Sequence, residues 1–321
     1  MRVALVSAAE PGRGNRATVD RWVAFVRGID LVVLKPGEDP GFRPDVVDGY
    51  HAVHGGPWAL ELAERYDAPL VVNLGGTDLF APGVGPVLLA AARVTGAFAQ
   101  FGERLRERFG RPLPYVTVPR GVVVPPALPL REPKGRVLLP AGLRPVKDVH
   151  LAIDLLDRLR ARGLPLTLRI LGPAMDPEYA RKVRARAGGP VSVDEAAPEE
   201  MREAYLAADV VWNTSLHEGG SNALLEAVAH GCAIFARDVP GNRELLEEEG
   251  APKALFDPAD TDAAVAFHRA LLAEPAAARR ARVEKGLAWL RNLHDPRTEA
   301  EGLTLTLRRA RNSRLDNELR R

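Results

Sequence analysis

The segment N-T-S-L-H-E-G-G-S-N-A-L-L-E-A, residues Asn213–Ala227, decides the fold of this 321-residue chain. It follows the apolar run Asp209–Asn213, which predicts a strand, and it continues into a stretch with the apolar spacing of a helix. The pair Gly219–Gly220 lets the backbone approach a ligand closely. Glu218 lies in the predicted loop, and Glu226 lies on the predicted helix two turns later and on the same side. The segment therefore predicts a strand, a ligand-binding turn and a helix that carry two carboxylates.

The start of the predicted helix is a second part of this candidate site. Backbone amides around Ser221 and Asn222 favour an anion such as a diphosphate. One of the two carboxylates can accept hydrogen bonds from a sugar and the other from a ribose. A plain strand-to-helix turn, with Ser221 or Asn222 as the helix cap and Glu226 in solvent, is the alternative interpretation of the same residues.

Short apolar runs alternate with helical patterns along the whole chain, which is typical of an α/β protein. The runs are rich in Val and Leu and do not alternate with polar residues, as expected for parallel sheets covered on both faces. Twelve of these runs predict strands, at Val3–Ser7, Asp30–Leu34, Tyr50–His54, Leu70–Leu74, Val94–Ala99, Tyr115–Val118, Arg136–Pro140, Leu166–Leu171, Val191–Asp194, Asp209–Asn213, Cys232–Ala236 and Lys253–Phe256.

A proline-rich stretch, Pro119–Pro133, divides these strands into two sets of six and is typical of a linker. We therefore expect two doubly wound, Rossmann-like domains. The first is placed at residues 1–125 and the second at residues 126–295, followed by a helix with a frayed tail at residues 296–321. A cleft between the carboxyl ends of the two sheets is where ligands of such folds bind.

The segment Asn213–Ala227 resembles the E-x7-E motif of retaining GT-B glycosyltransferases of the group 1, or family-4, type. The typical sequence of that family is S-x-x-E-G-x-G-x-x-x-L-E-A-M-A-x-G-x-P-V-V-A. The chain fits it at Ser215, Glu218, Gly219, Leu225, Glu226, Ala227, Ala229, Gly231 and Ala236. The resemblance implies that Glu218 faces the donor sugar, that Glu226 binds the ribose, and that the turn between them lines the donor site.

The same resemblance implies an overall organisation, the GT-B fold of two Rossmann-like domains with a cleft between them. Residues 1–125 would bind the acceptor, and residues 126–295 would bind the nucleotide-sugar donor. The helix at residues 296–321 would cross back onto the first domain.

A basic turn, Leu139–Asp148, follows the first strand of the second predicted domain. A guanidinium fork at Arg144 and a point charge at Lys147 suit a pyrophosphate. The turn is similar to the family's G-R-L-x-x-x-K-G, whose Arg and Lys hold the donor diphosphate. Lys147 keeps its place, whereas the arginine stands two positions later and Asp148 replaces the usual glycine. The variant R-P-V-K-D resembles a sub-branch that includes bacterial selenosugar synthases. Two solvated cations before a helix are the alternative interpretation.

The loop after the first strand, Pro11–Thr18, lacks the G-x-G-x-x-G pattern, so a dinucleotide cofactor is not expected. In the family this loop carries glycines near the donor phosphate, which makes Gly14 and Asn15 candidate donor ligands. An ordinary helix start capped by Asn15 or Thr18 is the alternative.

The end of the fourth strand, Asn73–Asp78, resembles the family's T-x-H-G-x-D element, with Gly75 in the place of the histidine. Asp78 then remains as a candidate to orient the acceptor or a neighbouring cation. His54, at the predicted end of the third strand, is a candidate to take the polar role instead, and His51 is a weaker one.

Several classes of function are not expected from the composition. Acidic and basic residues are mixed and the net charge is +2, which argues against a nucleic-acid partner. No apolar run approaches the roughly 20 residues of a transmembrane helix, and the chain starts with a predicted strand, so we expect a cytoplasmic protein. Contact with a membrane surface is compatible with these features. The D-x-D of Asp260–Asp262 is interpreted as a helix cap, and no metal or cofactor is expected.

These features predict an enzyme that moves a sugar from a nucleoside-diphosphate sugar to an acceptor of unspecified class, with retention and without a metal. Three alternatives are kept. Two are enzymes on the same fold, a sugar–heteroatom synthase of the selenosugar type and a nucleotide-sugar epimerase. The third is a degenerate nucleotide-sugar-binding module without activity.

Overall fold

The structure, a computed structural model, describes residues 1–10, 14–126, 128, 130–252 and 255–319. The chain divides into two compact units. Unit 1 consists of Met1–Gly121 together with Leu293–Arg321, and unit 2 consists of Val122–Asn292. Each unit is built on one sheet of six parallel strands, which confirms the predicted α/β architecture of two doubly wound halves.

The sheet of unit 1 has the order β2-β1-β3-β4-β5-β6. Its strands are β1 (Arg2–Ser7), β2 (Asp30–Leu34), β3 (Val46–Tyr50), β4 (Leu70–Asn73), β5 (Arg93–Gly96) and β6 (Tyr115–Thr117). The helices of this unit are α1 (Gly14–Phe25), α2 (Gly56–Tyr66), α3 (Gly85–Ala90), α4 (Gln100–Phe109) and α12 (Pro296–Leu319).

The last helix belongs to the core of unit 1 although it is far away in sequence. Leu303 and Leu307 of α12 are fully buried and share a hydrophobic cluster with Trp22 of α1. Beside this cluster, Arg21 Nε donates to Glu299 Oε2 at 2.9 Å, and both side chains are almost completely shielded from solvent. Helix α12 therefore covers one face of the sheet together with α1.

The third strand differs from the prediction. The strand is Val46–Tyr50, in register with β1 from Val3↔Val46 to Ser7↔Tyr50, whereas Tyr50–His54 was predicted. The chain leaves the sheet because His51 adopts a left-handed backbone conformation with φ 71°. Residues His51–Gly55 then form one π-helical turn that leads into α2.

A chain of polar side chains crosses the sheet of unit 1. Asn73 Nδ2 donates to Asp48 Oδ1, and Thr95 Oγ1 donates to Asn73 Oδ1. Asp48 has no accessible surface, and its Oδ2 has no hydrogen-bond partner among the described residues. A carboxyl group is thus buried inside a strand, and among the described residues no cation lies beside it.

The sheet of unit 2 has the order β12-β11-β10-β7-β8-β9. Its strands are β7 (Arg136–Pro140), β8 (Thr167–Leu171), β9 (Val191–Asp194), β10 (Val210–Asn213), β11 (Ala233–Arg237) and β12 (Leu255–Phe256). The helices are α5 (Val149–Ala161), α6 (Pro177–Arg184), α7 (Pro198–Ala207), α8 (Asn222–Ala229), α9 (Pro240–Leu246), α10 (Thr261–Leu272) and α11 (Ala276–Leu293). Two residues of the predicted last strand, Lys253 and Ala254, lie outside the described residues.

The core of unit 2 contains one polar pair in an aromatic setting. Trp212 Nε1 donates to His268 Nε2 at 3.0 Å, and His268 Nδ1 lies 2.7 Å from the Ala264 carbonyl oxygen. The tryptophan bond requires a lone pair on Nε2, so the imidazole is neutral with its proton on Nδ1. Burial accordingly lowers the pKa of His268 to about 4.

The strand orders define where each sheet can bind a ligand. In unit 2 the chain runs from β7 outward to β9 and then returns to the other side of β7 at β10, so β7 and β10 flank the topological switch point. In unit 1 the corresponding pair is β1 and β3. Doubly wound sheets bind ligands outside the carboxyl ends of such strand pairs. Within the described residues, no helix is both long and apolar enough to cross a bilayer.

Candidate functional site

Lys147 and Glu218 meet at the switch point of unit 2. Lys147 ends the short 3-10 turn after β7, and Glu218 lies in the loop after β10. Lys147 Nζ donates to Glu218 Oε1 at 2.6 Å, and the two side chains are 20% and 8% exposed. Two segments that were singled out separately in the sequence therefore form one largely buried ion pair.

The carboxylate of Glu218 is held through one of its two oxygens. Oε1 also accepts from Ser215 Oγ at 2.6 Å and from Asn213 Nδ2 at 3.1 Å. Burial opposes ionisation, but the charge of Lys147 and these hydrogen bonds together outweigh it, so the pKa of Glu218 is lowered. No described residue donates a hydrogen bond to Oε2. Glu218 is therefore an ionised carboxylate with one oxygen committed to the protein.

The loop that carries Glu218 rests directly on the start of α9. A Cβ added to Gly241 would lie 2.1 Å from the carbonyl oxygen of Glu218, so only glycine allows this contact. Beside it, Asn242 Nδ2 donates to Asn213 Oδ1 at 3.2 Å. Asn213 thus links α9, the Glu218 carboxylate and Ser221, whose Oγ accepts from Asn213 Nδ2 at 3.3 Å. The sequence prediction missed Asn213 and Asn242, although an asparagine that ends an apolar strand is a usable signal.

The turn between the two carboxylates has the predicted strand–loop–helix form. Gly220 has φ 98°, a conformation that favours glycine. Ser221 stands at the N-cap position of α8 without a side-chain cap bond, and the helix begins at Asn222. Ser221 is therefore the N-cap residue, as the alternative interpretation had it, but its hydroxyl accepts from Asn213 and does not cap the helix.

Glu226 lies on α8 and is half-buried. Its Oε2 accepts from Tyr205 Oη on α7 at 2.8 Å. The Tyr205 ring is fully buried and stacks on His230, with centroids 5.3 Å apart and an interplanar angle of 15°. Tyr205 is a further residue that the sequence prediction did not identify, since its partner comes from another helix.

The structure shows how the residues of the basic turn are accommodated. Asp148, which replaces a glycine, has φ 43° and adopts the left-handed conformation that aspartate tolerates better than most residues. Its carboxylate also accepts from Arg237 Nη1 at 2.9 Å, at the carboxyl end of β11. Arg144, two positions later than in the family, has extended backbone, and its buried Nε has no partner among the described residues. Three cations, Lys147, Arg144 and Arg237, thus lie on the loops and strand ends at this edge.

The candidates of unit 1 lie at its own switch point. Helix α1 begins at Gly14, and Asn15 Oδ1 accepts from Tyr50 Oη at 3.4 Å. Pro11, Gly12 and Arg13 lie outside the described residues.

The carboxylate of Asp78 accepts hydrogen bonds from three backbone amides. Its carboxylate, with 1% of the residue exposed, accepts from the amides of Ala52 at 2.7 Å, Gly75 at 3.0 Å and Gly76 at 2.8 Å. These bonds tie the turn after β3 to the loop after β4. The geometry gives Asp78 the role of holding two loops together at the carboxyl edge.

The two histidines are not placed as the predicted strand implied. His54 is exposed and lies in the π-helical turn, because the strand ends at Tyr50. It stacks on the buried ring of His51 with centroids 4.3 Å apart. His51 Nδ1 is 3.7 Å from Asp78 Oδ2, and a Cβ at Gly75 would be 2.6 Å from His51 Cδ2. The ring of His51 therefore fills the space that glycine leaves at position 75.

Arg120, at the end of the first unit, was also missed by the sequence prediction. It is buried, and its guanidinium donates to the Gly75 carbonyl oxygen at 3.0 Å and to Thr18 Oγ1 at 3.2 Å. These bonds connect α1 to the loop after β4. Arg120 therefore fixes the same loops that Asp78 joins.

The D-x-D segment has the predicted capping role. Asp260 Oδ1 accepts from the amide of Ala263 at 2.8 Å at the start of α10, and Asp262 pairs with Arg162 at the surface. Among the described residues, no cluster of three or more His, Cys, Asp or Glu side chains is arranged to hold a metal ion.

Comparison with known proteins agrees with this geometry. Residues 134–274 match the family model described as Glycosyl transferases group 1. Glycosyltransferase 1 domain-containing protein 1 of Xenopus tropicalis is 27% identical over 146 residues, which cover 44% of this chain and 41% of that protein. The match thus spans about two fifths of the length of the curated relative.

Solved structures resemble the chain over nearly its whole length. HepE of Anabaena, solved in complex with UDP and glucose, has a TM-score of 0.74 at 16% identity, covering 96% of this chain and 99% of that chain. Sucrose-phosphate synthase of Thermosynechococcus elongatus has a TM-score of 0.75 at 17% identity, covering 96% and 98%. The two units therefore have the GT-B fold, as predicted, and residues 134–274 are similar to the group 1 glycosyltransferases.

Proposed function

We propose that the chain is a glycosyltransferase that moves a sugar from a nucleoside-diphosphate sugar to an acceptor, with retention and without a metal. The observation that carries the proposal is the Lys147–Glu218 ion pair at the switch point of unit 2. A donor sugar needs a hydrogen-bond acceptor for its hydroxyls and its diphosphate needs a cation. This pair supplies both within one site.

The leaving diphosphate is the group that needs the most stabilisation, because it gains negative charge as the glycosidic bond breaks. An ammonium has three N–H donors, so Lys147 can keep its bond to Glu218 and still reach a phosphate oxygen. Arg144 and Arg237 add charge, and the backbone from Gly220 to Asn222 adds donors at the start of α8. These groups are the basis for proposing catalysis without a metal.

The two carboxylates then bind the two sugars of the donor. Glu218 offers Oε2 to hydroxyls of the transferred sugar, while Oε1 stays with Lys147, Ser215 and Asn213. Glu226 accepts from the ribose hydroxyls. In a retaining reaction the acceptor attacks on the side of the leaving group, and the diphosphate takes the proton of the acceptor. No separate general base is then required.

Unit 1 is proposed to bind the acceptor. His51 and His54, which lie after β3, are the proposed acceptor contacts, whereas Gly14 and Asn15 at the start of α1, on the other side of the switch point, remain proposed donor ligands. Asp78 contributes by holding the turn that carries both histidines.

A thermal-shift panel of UDP-, GDP- and ADP-sugars with EDTA present tests the proposal. A donor at about 100 times its Kd should stabilise the protein by about 2.7 kcal/mol. The shift should be lost in Lys147→Ala and kept in Lys182→Ala, a surface lysine of α6 paired with Glu178. Folded protein that no nucleotide stabilises would contradict the proposed function, and stabilisation that EDTA abolishes would contradict the metal-free part.

A further inference from the structure

The hydrogen bond between Tyr205 and Glu226 joins two helices of unit 2 beside the candidate donor site. Tyr205 Oη donates to Glu226 Oε2 at 2.8 Å. Tyr205 has 2% of its surface exposed, whereas Glu226 is half-buried. The phenol therefore approaches the half-buried carboxylate from the protein interior.

The donor and the acceptor of this bond cannot exchange roles. Burial, and then the charge and hydrogen bond of Glu226, raise the pKa of Tyr205 well above its ordinary value, so the phenol keeps its proton. A buried hydroxyl without an acceptor is costly, which favours the orientation of Glu226 that accepts this bond. The bond is thus a fixed support for the carboxylate.

The tyrosine ring is itself held in place. His230 stacks on it, and the His230 Nδ1 lies 2.7 Å from the Glu226 carbonyl oxygen at the end of α8. On the other side, Cys232 Sγ donates to the Tyr205 carbonyl oxygen at 3.1 Å. Burial raises the pKa of the Cys232 thiol to about 12, so the sulfur stays protonated as this donor. Groups from the end of α8 and the residue before β11 therefore restrain α7 beside Glu226.

We propose that Tyr205 is the positioning residue that makes the site select ribose over 2′-deoxyribose. The inference rests on the proposed role of Glu226 as the ribose ligand. A carboxylate whose plane is held in advance accepts from the neighbouring hydroxyls of a ribose at a lower entropic cost, and the Tyr205 bond restrains that plane. A polar site built for a hydroxyl discriminates against the analogue that lacks it, because the buried group is then left unpaired.

The test is Tyr205→Phe, which keeps the ring and its stacking and removes only the hydroxyl. The matched control is Tyr66→Phe in unit 1, where Tyr66 Oη donates to Asp39 at 2.7 Å on the surface. Affinities are measured by calorimetry for UDP, GDP and ADP and for their 2′-deoxy counterparts, and the melting temperature of each variant is recorded. Glu226→Ala and the double variant Tyr205→Phe/Glu226→Ala complete the set.

Tyr205→Phe should raise the Kd of the bound ribonucleotide about tenfold and leave the Kd of its 2′-deoxy counterpart within about twofold. In the Glu226→Ala background the same change should leave both Kd values unchanged, even if it lowers the melting temperature. Tyr66→Phe should alter neither affinity.

Two results would overturn the inference in different ways. If Glu226→Ala weakens ribonucleotide binding but Tyr205→Phe does not, or weakens both nucleotides equally, the positioning role of Tyr205 is wrong while the proposed function stands. If Glu226→Ala leaves ribonucleotide binding unchanged, the ribose role of Glu226 is wrong and the inference goes with it.

Discussion

The buried carboxyl group of Asp48 predicts an unusual pH dependence for the stability of unit 1. It lies within β3, its Oδ1 accepts from Asn73, and its Oδ2 has no partner among the described residues. Burial raises the pKa of Asp48 to about 8, against the opposing effect of the Asn73 hydrogen bond. At neutral pH the group is therefore protonated in the folded unit and ionised in the unfolded chain.

The sign and size of the effect follow from proton linkage. Between the ordinary pKa of 3.8 and the folded value of about 8, the folded unit holds one proton more than the unfolded chain. The free energy of unfolding therefore falls by about 1.4 kcal/mol for each pH unit in this window. From pH 5 to pH 7 the loss is about 2.7 kcal/mol. Asp48→Asn has the same shape but cannot ionise, so it should remove this slope.

The assay is urea unfolding at pH 5, 6 and 7, with hydrogen exchange of the β3 amides as the reporter of unit 1. Relative to wild type, Asp48→Asn should gain about 2.7 kcal/mol between pH 5 and pH 7, whatever its stability at pH 5. Asp20→Asn, at an exposed aspartate of α1, is the matched control and should show no such gain. A difference between Asp48→Asn and wild type that stays constant with pH would refute the reasoning.

Three further predictions concern unit 2. Lys147→Ala should lower kcat/KM more than tenfold, about 1.4 kcal/mol, since the leaving diphosphate loses its cation; a rate like that of Lys182→Ala would rule this out. Gly241→Ala should weaken donor binding in titrations, because its Cβ would lie 2.1 Å from the carbonyl oxygen of Glu218. The control is Gly85→Ala, whose Cβ has room. Equal donor affinities of the two variants would contradict the predicted effect of Gly241→Ala. The lowered pKa of His268, about 4 against an ordinary 6.5, means that the unfolded chain takes up a proton first as pH falls, so unit 2 loses stability between these values. Relative to His268→Gln, the unfolding free energy of wild type should fall by about 1.4 kcal/mol for each unit by which the pH is lowered from 6.5 towards 4. A difference between the two proteins that does not change with pH would exclude the buried neutral imidazole.

Local sequence patterns were sufficient to predict the architecture and two residues of the candidate site, Lys147 and Glu218. Val- and Leu-rich runs mark most of the strands because both faces of each sheet are covered. Lys147 and Glu218 were both singled out before their contact was known, since each follows a strand of the same sheet. The carboxyl ends of neighbouring parallel strands bring such residues together.

The remaining features depend on contacts that no local pattern records. The third strand was misplaced because it contains Asp48 and Gly49, which do not resemble an apolar run; only the tertiary burial of the carboxyl makes that strand possible. Tyr205 was missed because its partner lies on another helix. Asp148 was noted as a departure from a glycine, but its left-handed backbone and its bond to Arg237 became visible only in three dimensions.

The packing of His51 against Gly75 has a consequence for the evolution of the chain. A side chain at position 75 would displace the imidazole of His51 from its present place, because its Cβ would lie 2.6 Å from His51 Cδ2. The two positions are therefore expected to change as a pair. A lineage that gains a histidine at position 75 is expected to move the His51 ring or to replace it by a smaller side chain. In this chain the imidazole beside position 75 thus comes from His51, after β3, and not from the loop after β4.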